Sequence, residues 1–217
     1  MKNLTAILIG ATGATGTEIL NQLLNDKDFT KIIVFTRRAI EIVSSKLEVH
    51  VVDFNQINDW KYLIKGDVLF SVLGTTLKAA GTKENQFKID YTFQFETAKA
   101  ASENGVSNFI LGSSYGAKKN SVFFYPKIKG LLDDAVQSLE FKQIHIFRPG
   151  FLRRQPSKLR APEKVSITII DALNKIGLFK NQKPIPVKTL AEKMILVSKM
   201  ESSNKTQIHS LNKIFYL

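Results

Sequence analysis

The 217-residue chain, 44% apolar and 23% charged, is long enough for one unit with its own core and too short for two comfortable ones. It has no cysteine, which excludes a disulfide framework, thiolate chemistry and cysteine-bound zinc; no metal site is expected. The formal charge of +12 is scattered along the whole sequence with no nucleic-acid recognition motif beside it, so it suits an anionic small molecule better than specific DNA or RNA.

Three histidines, His50, His145 and His209, lie far apart in apolar strand-like runs and read as packed or solvated rings rather than ligands. No apolar run of about 18 residues exists to span a bilayer. The start, Met1-Lys2-Asn3 and a short apolar core, reads as a first strand rather than a secretory signal. These features together lead us to expect a cytoplasmic protein, monomer or homodimer, that acts on a small molecule without membrane contact.

In chain order, the apolar run Leu4 to Ile9 leads into Gly10-Ala11-Thr12-Gly13-Ala14-Thr15-Gly16, and a helix begins at once and runs through Leu24. Strand, glycines spaced by two residues, then helix is how a chain presents backbone N–H groups to a diphosphate. Gly10, Thr12, Gly13, Ala14, Thr15 and Gly16 are therefore the expected dinucleotide loop. Lys31 to Phe35 reads as a second strand ending in Thr36-Arg37-Arg38. In a parallel dinucleotide fold the adenosine ribose sits there, and two arginines in place of an acid favour the 2′-phosphate of NADP, NAD being the lesser fit.

Leu47 to Val52 reads as a third strand, with Asp53 placed either to accept from the adenine amino group or to cap its own turn, and Phe54 to pack nearby. Asp67 to Leu73 is a fourth strand delivering Leu73, Gly74 and Thr75 to the ligand edge. Lys78 to Glu84 reads as a loop and Asn85 to Asn104 as a long helix, with Phe87, Tyr91, Phe95, Ala98 and Ala101 on its apolar face. Asn108 to Leu111, a fifth strand, delivers Ser113 and Ser114. Pro126 is tolerable only in a first turn, so Tyr125 stands at a helix start. Lys129 lies four residues on, its ammonium on the face of the phenol, where it is expected to favour the phenolate.

Gln143 to Phe147 is a sixth strand closed by Arg148-Pro149-Gly150. Beyond it Phe151 to Val165, with Arg153, Arg154 and Arg160 among prolines, reads as a loop or short lobe over the crevice. Helices follow over Val165 to Leu178 and Lys188 to Met200, and Gln207 to Asn212 reads as a final edge strand. Alternating strands and helices imply an α/β fold, a doubly wound parallel sheet of about seven strands in the order 3-2-1-4-5-6-7. The whole chain reads as one domain, with 151–217 a smaller substrate-side portion.

Taken jointly, Gly10-x-x-Gly13-x-x-Gly16, Thr36-Arg37-Arg38, Leu73-Gly74-Thr75-Thr76, Ser113-Ser114, Tyr125-x-x-x-Lys129-Gly130 and Phe147-Arg148-Pro149-Gly150 resemble the short-chain dehydrogenase/reductase superfamily. Within it the likeness is to the extended and atypical branches, and to the NAD(P)H-binding group that includes the Tat-interacting oxidoreductase. The resemblance covers roughly residues 4 to 152. It implies a Rossmann-like fold and an NADP-dependent oxidoreductase that moves a hydride between nicotinamide and a carbonyl or alcohol. Ser114, with Ser113 as rival, would hold the substrate oxygen, and Tyr125 would be the general acid or base. Lys129 would hold the nicotinamide ribose and lower the tyrosine pKa by about two or three units from its ordinary value near 10. Ser113, Tyr125, Lys129, Pro149 and Gly150 would also touch the cofactor. The superfamily's helical asparagine has no match that can be carried over. The alternatives are a non-catalytic NADP(H) sensor and, less well supported by the short C-terminal portion, a nucleotide-sugar epimerase or dehydratase.

Overall fold

A computed structural model describes residues 2–153 and 183–217. Seven strands form one all-parallel sheet: β1 (Leu4–Ile9), β2 (Phe29–Thr36), β3 (Leu47–Val51), β4 (Val68–Ser71), β5 (Asn108–Gly112), β6 (Gln143–Arg148) and, after a two-strand ribbon, β9 (Thr206–Ser210). The ribbon pairs β7 (Leu152–Arg153) with β8 (Ile185–Pro186). The sheet order is β3-β2-β1-β4-β5-β6-β9, the expected doubly wound, Rossmann-like arrangement with β9 as the seventh strand. The direction of winding reverses between β1 and β4, which opens a crevice at their carboxyl ends.

Alternation along the strands divides the core into two layers. In β1, Ala6 and Leu8 face one layer with Val34 of β2 and Phe70 of β4, covered by Ile19, Leu20 and Leu23 of α1 (Ala14–Asn25). The helix Val187–Ser198 lies in the same layer through Leu190, Ala191 and Met194, and Gln22 of α1 donates to the Lys188 carbonyl. Ile7 and Ile9 face the opposite layer with Phe35, Leu69, Phe109 and Ile146. Burying each such side chain is worth about 1.5–3 kcal/mol, and burial on both faces is why these strands read as nearly continuous apolar runs.

The remaining helices among the described residues are α2 (Leu77–Ala80), α3 (Lys83–Phe87), α4 (Phe93–Glu103) and α5 (Phe124–Val136), and Val187–Ser198 is labelled α6. The expected loop over 78–84 is instead largely helical. Thr76 and Thr82 each accept a backbone N–H three residues on, from Ala79 and Asn85, and these hydroxyls start α2 and α3. The expected long helix over 85–104 is present, but interrupted by a π turn at Lys88–Thr92. That extra residue rotates the buried stripe. Gln86, Asp90, Gln94 and Thr97 are buried, while Phe87, Tyr91 and Phe95 stack on one another along a half-buried flank. The expected final strand ends at Ser210, and Leu211–Tyr216 continues as 3-10 turns. The helix expected over Val165 to Leu178, together with Arg154 and Arg160, lies outside the described residues.

Candidate functional site

The loop between β1 and α1 is shaped by two glycines for internal reasons and by one for an external reason. Gly10 has φ +86°, and a Cβ there would lie 2.7 Å from the Val72 carbonyl carbon. A Cβ on Gly16 would lie 2.0 Å from the Gly10 carbonyl oxygen, so the helix could not sit on its strand. Gly13, by contrast, has ordinary extended backbone, and its Cβ would meet only the Gly10 oxygen at 3.3 Å. No other neighbour crowds Gly13, which lines the cleft described below. Gly13 N–H donates to the Gly10 carbonyl at 2.9 Å, closing the turn, and caps α1 without a side chain. The first-turn N–H groups of α1 are thus uncapped, no acidic residue stands in that turn, and a diphosphate fits the cradle.

A cleft of about 410 Å³ lies at this carboxyl edge. It is lined by Thr12, Gly13, Ala14 and Thr15 of the glycine loop, by Gly74, Thr75 and Thr76 after β4, and by Tyr125 and Leu152. The structure therefore brings together the anion-ready loop, the small residues after β4 and the phenol, three stretches far apart in the sequence. Leu73 is half-buried at the end of β4, directly before Gly74.

The residues expected around adenosine lie outside that cleft. Arg37 and Arg38 follow β2, exposed and with no ion pair among the described residues; the Arg38 carbonyl accepts from Thr36 Oγ1. Asp53 caps its own turn: one oxygen accepts from Asn55 N–H at 2.9 Å and from the Asn55 amide at 2.8 Å, which holds its carboxyl below the usual range. Phe54 corrects the expectation outright. Its ring is buried against Trp60 and Phe93, at 5.3 and 5.6 Å, and is part of the core rather than a surface for adenine. Pro149 and Gly150 end β6, and the Pro149 carbonyl is taken by Tyr115 N–H at 2.9 Å.

Around the phenol the electrostatics differ from the expectation. Lys129 is 2% exposed and its Nζ donates to the Gly112 carbonyl at 3.0 Å. Burial pulls its pKa down, against Asp90 and Asp133, which pull it up. Tyr125 is consequently not lowered. The residue as a whole is 39% exposed, yet burial of the phenol, then the Asp90 charge, push it up to about 12, with Ser114 easing the rise. The lysine charge that sequence reasoning gave wholly to the phenol is shared by two buried carboxylates. Of the two serines, Ser114 is the one beside the phenol. Ser113 Oγ is buried without a hydrogen bond of ordinary geometry, close enough to Asp133 to favour its ionised form.

Asp90 and Asp133 were not legible as site residues, though each left a trace. Tyr125, Lys129 and Asp133 recur every four residues, a polar stripe along α5, and Gln86, Asp90 and Gln94 recur every four residues before it. Asp133 is fully buried, accepts from Arg148 Nε at 2.8 Å, and is raised by burial. Gly130 lets this helix come in, since a Cβ there would lie 2.2 Å from the Lys118 carbonyl carbon.

Comparison with known proteins agrees with this geometry. Residues 10–161 match a family described as NAD(P)H-binding. Over 151 residues the chain is 39% identical to "Protein FMP52, mitochondrial" of Meyerozyma guilliermondii, covering 68% of this chain and 64% of that one. It is 33% identical over 156 residues to "Protein HTATIP2" of Rattus norvegicus, covering 70% and 64%. The chain thus spans a little under two thirds of either relative's length. Among solved structures it is similar to "MoeE5 in complex with UDP-glucuronic acid and NAD", with a TM-score of 0.73 and 12% identity, over 95% of this chain and 76% of that one. These findings bear out the resemblance to the short-chain dehydrogenase/reductase superfamily and its Tat-interacting-oxidoreductase-like group. They overturn the cytoplasmic expectation, because curated relatives from several yeasts and moulds carry mitochondrial names. Absence of cysteine and of long apolar runs constrains redox state and bilayer crossing, and neither property distinguishes one reducing compartment from another.

Proposed function

Because the chain belongs to the NAD(P)H-binding family, we propose that it is an NADP-dependent oxidoreductase that reduces a carbonyl group of a small molecule. The observation that carries this reading is that one cleft is lined both by the open glycine turn and by Tyr125. A bound nicotinamide would supply the hydride, and the chain's part is to orient, to protonate and to hold charge.

Ala14 and Thr15 take the diphosphate on backbone N–H groups, and Gly13, whose own N–H closes the turn on Gly10, leaves room for it. Arg37 and Arg38, exposed and without an ion pair among the described residues, take the 2′-phosphate, which is why NADP is preferred to NAD. Ser114 holds the substrate oxygen, and Tyr125 gives it a proton as hydride arrives at the carbon. A phenol held protonated to about 12 suits this direction, since an alkoxide is far more basic still, whereas oxidation would need the phenolate. Lys129 supports the charge beneath and has two further N–H groups, beyond the one on Gly112, for the nicotinamide ribose.

The test is NADPH oxidation over a panel of aldehydes, ketones and quinones, with wild type and Tyr125→Phe, alongside NADPH fluorescence titration. Turnover is expected to fall at least a hundredfold in the variant, the usual worth of a positioned general acid being about 10²–10⁴, with cofactor affinity retained. Equal turnover in Tyr125→Phe removes the assignment of the acid. Tight NADPH binding with no turnover on any carbonyl identifies a cofactor sensor instead.

A further inference from the structure

The π turn before α4 places one carboxyl where the cleft wall and the phenol's helix meet. Asp90 is fully buried. Its Oδ2 accepts the Thr75 N–H at 3.2 Å, and its Oδ1 is buried without a hydrogen bond of ordinary geometry, the Gln86 side chain lying close enough to favour the ionised form against the burial that raises it. A Cβ on Gly74 would lie 3.4 Å from Oδ1. The main chain at the same residue is anchored from beneath: Gln94 donates to the Asp90 carbonyl at 2.9 Å and in turn accepts from Ser71 Oγ at the end of β4.

Holding the loop needs only an acceptor. An asparagine would offer one to Thr75 without a charge to desolvate, so a buried carboxylate is an expensive choice for architecture alone. What the charge adds is its reach into α5. It attracts Lys129 and disfavours ionisation of Tyr125. We infer that Asp90 is a positioning residue of the reaction, one carboxyl that both fixes the Gly74–Thr75 wall of the cleft and takes up the Lys129 charge beneath the phenol.

This inference deepens, and for its kinetic consequence rests on, the reading of Tyr125 as proton donor. The groups that share the field are few. Lys129 and Asp133 come from α5, and Arg148 at the end of β6 is paired to Asp133. From the α3 side, Lys83 lies over the Phe124 ring at 5.4 Å, and Glu84 and Lys88 pair with each other in solvent. With Asp90 charged, Lys129 is divided between two acids and Tyr125 keeps its proton. Without that charge, burial and Asp133 alone hold Tyr125 up, and Lys129, one turn along α5, keeps only Asp133 as a buried counter-charge.

The experiment uses the full chain with Asp90→Asn, which keeps an acceptor for Thr75, and Asp90→Ala, which does not. Removing one member of a buried charge pair costs stability, but Asp133 remains as a buried counter-charge for Lys129, and thermal unfolding of both variants is measured before they are titrated. Tyrosinate absorbance is followed against pH in the apo protein, and the Tyr125 signal is isolated by subtracting the same protein carrying Tyr125→Phe. Both variants are expected to titrate Tyr125 lower than wild type by about one pH unit or more. The alkaline limb of carbonyl reduction is expected to move with it. NADPH affinity is expected to stay within about threefold in Asp90→Asn and to weaken about tenfold in Asp90→Ala, the size of one lost loop hydrogen bond. An unchanged Tyr125 titration in both variants overturns the inference. That readout needs no turnover, so it stands apart from failure of Tyr125 as the acid, which full activity of Tyr125→Phe would reveal.

Discussion

The pair formed by His145 and His209 makes acid stability a sharp test of the packing. The two residues lie 64 apart in sequence but side by side on β6 and β9, with Nδ1 of one 3.0 Å from Nε2 of the other and rings stacked at 5.3 Å. His145 Nε2 is buried with no hydrogen-bond partner among the described residues. Burial, and then the neighbouring imidazole, bring His145 from 6.5 down to about 4, and burial lowers His209 as well. The folded chain therefore binds a proton less readily than the unfolded one. Stability from this site is complete above the unfolded value near 6.5, drains away as pH falls, and is exhausted near 4. Over that window the loss for His145 is on the order of 3 kcal/mol, a large share of a domain's usual 5–15. Urea unfolding at steps from pH 7.5 to 4 would measure it, comparing wild type with His145→Asn, whose amide can still meet His209. Asp90 and Asp133, raised by burial, push the opposite way, favouring the fold in acid, and cancel in the difference. Wild type is expected to lose about 3 kcal/mol more than the variant between pH 7 and 4. Parallel curves would refute the argument that this imidazole is buried neutral.

The three glycines of the loop separate by role. Gly16→Ala is expected to destabilise the fold by several kcal/mol, about 3 or more, because the new methyl group overlaps the Gly10 carbonyl; thermal unfolding would show it, and an unchanged Tm would contradict it. Gly13→Ala should fold with a loss under about 1 kcal/mol yet bind NADPH at least about tenfold more weakly, read by fluorescence titration; undiminished affinity would mean that the dinucleotide does not cross there. Arg37→Ala is expected to weaken NADPH about tenfold or more and leave NADH almost unchanged, the difference being one charge-assisted phosphate contact; equal losses for both would deny the 2′-phosphate its place at the end of β2.

Strand order and the site's glycine loop were legible because each is written in short-range chemistry: two-sided apolar runs, a glycine triplet at a helix start, a proline that fixes where α5 begins. Ser113 and Ser114 show where that legibility ends. Adjacent residues in an irregular turn point to opposite surroundings, one toward Asp133 and one toward the phenol, and only the tertiary path of the β5 turn decides which. Phe54 was misread because a strand-end aromatic looks alike whether it meets a ligand or, as here, Trp60 and Phe93. Asp90 stayed hidden behind a π turn, which shifts the helix phase by a fraction of a turn and exchanges an apolar face for a polar one. The phenol's raised pKa follows from its burial first and from that carboxyl second, so an expectation built on Tyr125 and Lys129 alone had the wrong sign.

A phosphorylated dinucleotide is expected to cross the carboxyl edge of this sheet between Gly13 and Tyr125. A crystal structure of the protein soaked with NADPH tests it most directly. Diphosphate on the first-turn N–H groups of α1, with the nicotinamide facing the Tyr125 hydroxyl, is the predicted result. Density for the dinucleotide elsewhere, or a nicotinamide turned away from that hydroxyl, would contradict it.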